Sequence, residues 1–80
     1  MSERADNALK AAEISGLPMR HILDRAGLPP STPFRWKEGR DPQEAKITAF
    51  EDALRDLATG QIASLQTALG LLPAARTEAA

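Results

Sequence analysis

The side chains that could do chemistry in this chain crowd into the stretch between Gly27 and Gly39. They are Ser31, Thr32, Phe34, Arg35, Trp36 and Lys37, with Arg40 just beyond. Their chemistry is recognition rather than bond-making. A guanidinium and an ammonium two residues apart can hold a base edge and a phosphate oxygen. A glycine turn followed by a short basic helix is what a small protein needs to enter the major groove of DNA. Covalent chemistry has no comparable foothold. There is no cysteine and a single histidine, His21, so a disulfide framework and a thiolate metal site are excluded. No nucleophile is paired with a base, and no glycine-rich loop is built to cradle phosphate. The chain is expected not to be an enzyme and to need neither metal nor cofactor. His21 reads as an ordinary exposed helix residue.

The net charge of −1 at pH 7 argues weakly against a nucleic-acid partner, but its distribution matters more. From Pro18 to Lys46, the cations Arg20, Arg25, Arg35, Lys37, Arg40 and Lys46 outnumber Asp24, Glu38, Asp41 and Glu44. From Ile47 onward the balance reverses, with Glu51, Asp52, Asp56 and Glu78 against Arg55 and Arg76. The basic surplus therefore surrounds the turn and short helix, where local potential steers an anionic partner. Eighty residues make one domain with a marginal core, which favours tight helix packing or dimerisation. No apolar run reaches the roughly 20 residues that span a bilayer. No apolar segment follows the N-terminal charges as in a secretion signal. A cytoplasmic, nucleoid-associated location is the expectation.

The elements that must position these side chains are helical. β-branched residues are sparse, tyrosine is absent, and alanine and leucine recur at helical spacing. The fold class expected is all-α, a compact bundle of about five helices. The first runs from about Glu3 to Ile14, capped by Ser2 or Asp6, with Ala5, Ala8, Leu9 and Ala12 inward and Gly16 as its stop. The second starts with Pro18 as its first residue, turns Met19, Ile22, Leu23 and Ala26 inward, and ends at Gly27. The third admits two starts. Either Pro29 caps it and Pro33 falls at its fourth position, or Ser31 caps it and Pro33 is its second residue. The latter is preferred because a proline deep in a helix costs about 3 kcal/mol. The fourth starts at Asp41-Pro42-Gln43-Glu44, a cap, an N-terminal proline and an acidic third position. It buries Ile47, Phe50, Ala53, Leu54 and Leu57 and closes at Thr59-Gly60. A fifth covers roughly 61–71, where Ile62, Leu65, Leu69 and Leu72 repeat at coiled-coil spacing. Residues 1–72 form the domain, with about 61–72 as a dimerisation helix, and 73–80 are expected to be a disordered tail.

The segment from Leu17 to Leu23, then Ala26-Gly27-Leu28, Ser31-Thr32, Arg35-Trp36 and Gly39, resembles the helix-turn-helix of the phage-repressor and Cro-like (Xre-type) family. The likeness extends to Ala53-Leu54 and covers about residues 5–58. It implies a lambda-repressor-like fold and a homodimer with half-sites about 34 Å apart on double-stranded DNA. It implies that Pro30, Ser31 and Arg35 read bases, with Thr32 and Phe34 adjacent. It also implies that Arg20, Lys37, Arg40 and Lys46 hold phosphates. The chain departs from the family pattern at Met19, Pro29 and Pro33.

Several residues carry two readings. Trp36 is a core anchor or a stacking platform, and the anchor is preferred. Phe34 belongs to the core or to the thymine-contacting surface. The Ile62, Leu65, Leu69 and Leu72 seam packs within the chain or forms a dimer interface, and the dimer is preferred. Two functions follow. The first is a sequence-specific transcriptional regulator. The second is a module of the same fold that binds a protein partner in transcription, such as an anti-repressor or adaptor, without touching DNA.

Overall fold

The computed structural model describes residues 3–39 and 42–73. They form four helices, α1 (Glu3–Ser15), α2 (Met19–Ala26), α3 (Thr32–Lys37) and α4 (Glu44–Leu71), and no strand among the described residues. The chain is thus all-α, with four helices rather than five. The Ser2 and Asp41 cap positions, Arg40 and the tail beyond Pro73 lie outside the described residues.

The missing boundary is the one expected at Thr59-Gly60. α4 runs through it for 28 residues without a break. A glycine stops a helix when it takes a left-handed conformation, and Gly16, Gly27 and Gly39 do so with φ of 75°, 73° and 88°. Gly60 does not. Inside a helix it costs only about 1 kcal/mol relative to alanine, too little to interrupt propagation between Ala58 and Gln61.

Gly27 shows what a working stop requires. Its N–H donates to the Asp24 carbonyl at 3.2 Å, and the Leu28 N–H donates to the Leu23 carbonyl at 2.9 Å. These two bonds satisfy the last carbonyls of α2 in a Schellman arrangement, and Leu28 folds back onto the core. At the other end of α2, Pro18 is extended (φ −61°, ψ 129°) and is the cap rather than the first helical residue. The start of α4 is likewise later than expected. Gln43 occupies the cap position and Glu44 is the first helical residue, so Pro42 belongs to the connection.

The core contains Ala5, Ala8, Leu9 and Ala12 from α1, Ile22 and Leu23 from α2, Trp36 from α3, and Ile47, Phe50 and Ala53 from α4. Leu17, Met19, Ala26, Leu28, Leu54 and Leu57 close around it. α4 is the common support, with α2 and α1 packed on it and α3 resting on α1. The alanines of α1 let it lie close to α4. Arg4 on α1 donates to Glu51 at 2.6 and 3.0 Å and to Thr48 Oγ1 at 3.1 Å, while Asn7, Ala8 and Ala11 share a groove with Glu51, Leu54 and Arg55. Numbers rise together on both sides, so the two helices run parallel. The Arg4 hydrogen bond and charge hold the Glu51 carboxyl below its ordinary range. Beyond the bundle, every residue from Thr59 to Pro73 is exposed. No helix among the described residues is long and apolar enough to cross a membrane.

Candidate nucleic-acid interface

The candidate surface is α3 and its approach. The approach is made by prolines. Thr32 N–H donates to the Pro29 carbonyl at 3.0 Å, closing a turn in which Pro30 takes the second position, where its fixed φ fits best. Ser31 follows at φ −79°, ψ −7°, close to the third-position values of a type I turn. Ser31 stands at the cap position as expected, but its side chain makes no cap hydrogen bond. Its carbonyl instead accepts the Arg35 N–H at 3.0 Å. Pro33 is the second helical residue, where no N–H is required. The three prolines therefore shape the entry to α3 without breaking it.

α3 has six residues, so its two sides divide sharply. Thr32 and Trp36 are four apart and share one side, and both are buried. The Trp36 ring meets Phe50 of α4 edge-on, with centroids 5.4 Å apart and planes at 70°, a favourable aromatic geometry. Trp36 is a core anchor. It sits in the core and reaches Phe50 of α4, while α3 rests on α1. Thr32 is 5 % exposed and is withdrawn from the surface that the family likeness assigned to it. Its i,i+4 spacing to the tryptophan was the signal for this.

The opposite side carries Ser31, Phe34, Arg35, Lys37 and Glu38, all exposed. Phe34 is 68 % exposed and so lies outside the core. Ser31 and Arg35, four residues apart, form one stripe along that side. Arg20 and Pro30 meet in a small apolar depression with Met19, Leu23, Asp24 and Leu28. Lys37 stands at the other end of α3, over a groove shared with Asp6, Lys10 and Glu13. Lys46 is exposed in the first turn of α4.

The described cations divide into paired and unpaired groups, and Lys10 of α1 belongs to the unpaired group together with the cations at and around α3. Arg4, Arg25 and Arg55 pair with Glu51, Asp56 and Asp52. Arg20, Arg35, Lys37 and Lys46 have no ion-pair partner among the described residues. The structure therefore leaves unpaired the four described cations singled out from the sequence, while three other arginines brace α4. Those braces join residues 47 and 31 positions apart in two cases, and no local pattern announces such pairs. The seam residues Ile62, Leu65, Leu69 and Leu72 are between 54 % and 67 % exposed and pack on nothing within the bundle. No family model matches the chain, and no curated protein or solved structure matches it either.

Proposed function

We propose that this chain is a sequence-specific double-stranded DNA-binding transcriptional regulator of the phage-repressor or Cro-like kind, acting as a homodimer. The observation that carries the reading is the outward side of α3. It presents Ser31, Phe34 and an unpaired Arg35 on a short helix fastened from behind by Trp36. Arg35 fits the acceptor pair of a guanine, O6 and N7, and Phe34 fits a thymine methyl. Arg20, Lys37 and Lys46 surround this side and suit phosphate oxygens. Gly27 and the Pro29–Thr32 turn set the angle at which α3 leaves α2.

Selection of bound sites from random duplex DNA tests the reading. Enrichment of one motif is the expected result, and no preferential retention at low salt removes it. Arg35→Ala should flatten preference at one base position, at a cost of about 1–3 kcal/mol in discrimination. Lys37→Ala should weaken all sequences alike and reduce the salt slope by about one. Equal loss of preference in both variants contradicts the assignment of reader and grip.

A second reading is favoured by one observation. Phe34 and the proline turn form an apolar exposed surface beside a chain of net charge −1. In that reading α3 docks on a protein of the transcription machinery. Capture of a protein partner that is lost with Phe34→Ala, without salt-sensitive DNA retention, selects it.

A further inference from the structure

The distal half of α4 is an arm without a partner in the bundle. Thr59 to Pro73 contains no charged residue, and all of it is exposed. An isolated helix of this length with glycines at 60 and 70 has little to hold it in water, so its seam calls for a cover. The absence of charge argues against DNA, a charged peptide or an anionic lipid surface as that cover. It suits a second copy of the same arm, which meets no like-charge repulsion.

The orientation follows from α1. Traced backward at alternating steps of four and three, the seam Ile62, Leu65, Leu69 and Leu72 continues through Ala58, Arg55, Glu51 and Thr48. There it turns polar, and Arg4 of α1 already occupies Glu51 and Thr48. Since α1 runs parallel to α4 and ends at Ser15, it covers this stripe beside the bundle and leaves it open beyond. Two chains paired in parallel would have to place two α1 helices between their α4 helices. An antiparallel pair avoids this, because each arm meets only the other arm.

We infer that two copies join through antiparallel arms, with a two-fold axis at the level of Thr67. Ile62 then faces Leu72 of the second copy, and Leu65 faces its Leu69, so every seam residue meets a seam residue in the layers of an antiparallel coiled coil. α4 ends at Leu71, with Leu72 as its extended cap, just before the other chain's bundle begins. The arm is about 21 Å long and about 10 Å across, a smaller contact than the roughly 800 Å² per partner of a standard interface, so the dimer is reversible. This inference rests on the homodimer in the reading above and adds its orientation and register.

The chain has no cysteine, which permits a direct test on the full-length protein without DNA. Chains carrying Ile62→Cys and Leu72→Cys are mixed and oxidised, and a disulfide between the two variants is the expected product. In the antiparallel register two copies of Cys-substituted position 62 lie about 15 Å apart along the axis, beyond the roughly 7 Å limit for a disulfide. A homodisulfide of the Ile62→Cys chain therefore overturns the orientation while leaving the dimer intact. A dimer by light scattering that forms neither disulfide overturns the register. A monomer at every concentration overturns the dimer itself, whatever the DNA result. Leu65→Cys mixed with Leu69→Cys repeats the test nearer the axis, should substitution at 72 fray the helix end.

Discussion

Replacing glycine by alanine at positions 27 and 60 should move stability in opposite directions. An added Cβ meets nothing within 4 Å at either position, so packing is silent and the backbone decides. At Gly27 the φ of 73° places an alanine in the left-handed region, which costs an L-residue about 1–2 kcal/mol. Part of that is offset by the smaller freedom of the unfolded chain. The net loss should be about 1 kcal/mol, or roughly 4–8 °C in Tm for a domain of this size. At Gly60 the backbone is helical, and alanine should stabilise by about 0.5–1 kcal/mol. Trp36 is the only tryptophan and is buried in the bundle, so its fluorescence during urea unfolding reports the Gly27 change. The Gly60 change falls in the arm and is better read by amide exchange around Ile62 to Leu65. Protection there should rise about two- to five-fold for that gain. Loss of protection in Gly60→Ala would mean that a turn interrupts α4 after all. A neutral Gly27→Ala would refute the account of how α2 stops.

Three other perturbations separate core, surface pair and arm. Phe50→Ala removes the fully buried ring beneath Trp36, at a cost of about 3–5 kcal/mol. A chain of this length has a total stability of about 4–12 kcal/mol, so the urea midpoint followed by far-UV circular dichroism should fall by at least about a quarter. Glu51→Gln should remove one source of acid sensitivity. The folded carboxyl is held below its ordinary value of 4.5 by Arg4, so its contribution is present above that value and is lost as pH falls through the lower folded one. Urea midpoints of the two proteins should therefore differ at neutral pH and converge in acid. Leu65→Ser should leave the unfolding midpoint of dilute protein within about 0.5 kcal/mol, because the side chain is exposed. It should abolish any concentration dependence of mass in sedimentation.

The parts of the fold visible in the sequence were those governed by neighbours along the chain. The Ala5, Ala8, Leu9 and Ala12 stripe, the Gly16 and Gly27 stops, and the place of Pro33 near the start of α3 all depend on short-range spacing and backbone chemistry. Gly60 misled because composition does not reveal φ. The residue type is the same at 27 and 60, and only the surrounding helix propagation distinguishes a stop from a passenger. Thr32 misled because the family likeness supplied a role where the i,i+4 partner Trp36 dictated burial. The Arg4 clamp on Glu51 and Thr48 was invisible, since it exists only once α1 and α4 have docked. At the candidate interface, Ser31 and Arg35 were picked out by the family resemblance, and their i,i+4 spacing accounts for the single exposed stripe they form. The choice of which arginines remain unpaired did not follow from spacing, because it is made by long-range contacts.

The unbroken passage of α4 through Gly60 turns residue count into angle. Each residue of an α-helix advances the chain by 1.5 Å and about 100°. The azimuth of the leucine seam relative to α3 is therefore set by the number of residues between Phe50 and Ile62, as the pitch of a screw sets the bearing of its head. One residue inserted after Ala58 would swing the seam by about 100° to another flank of the bundle. Seven would restore its bearing to within about 20° while lengthening the shaft by about 10.5 Å. α4 thus acts as an indexed axle, whose length and phase fix where the seam stands relative to α3.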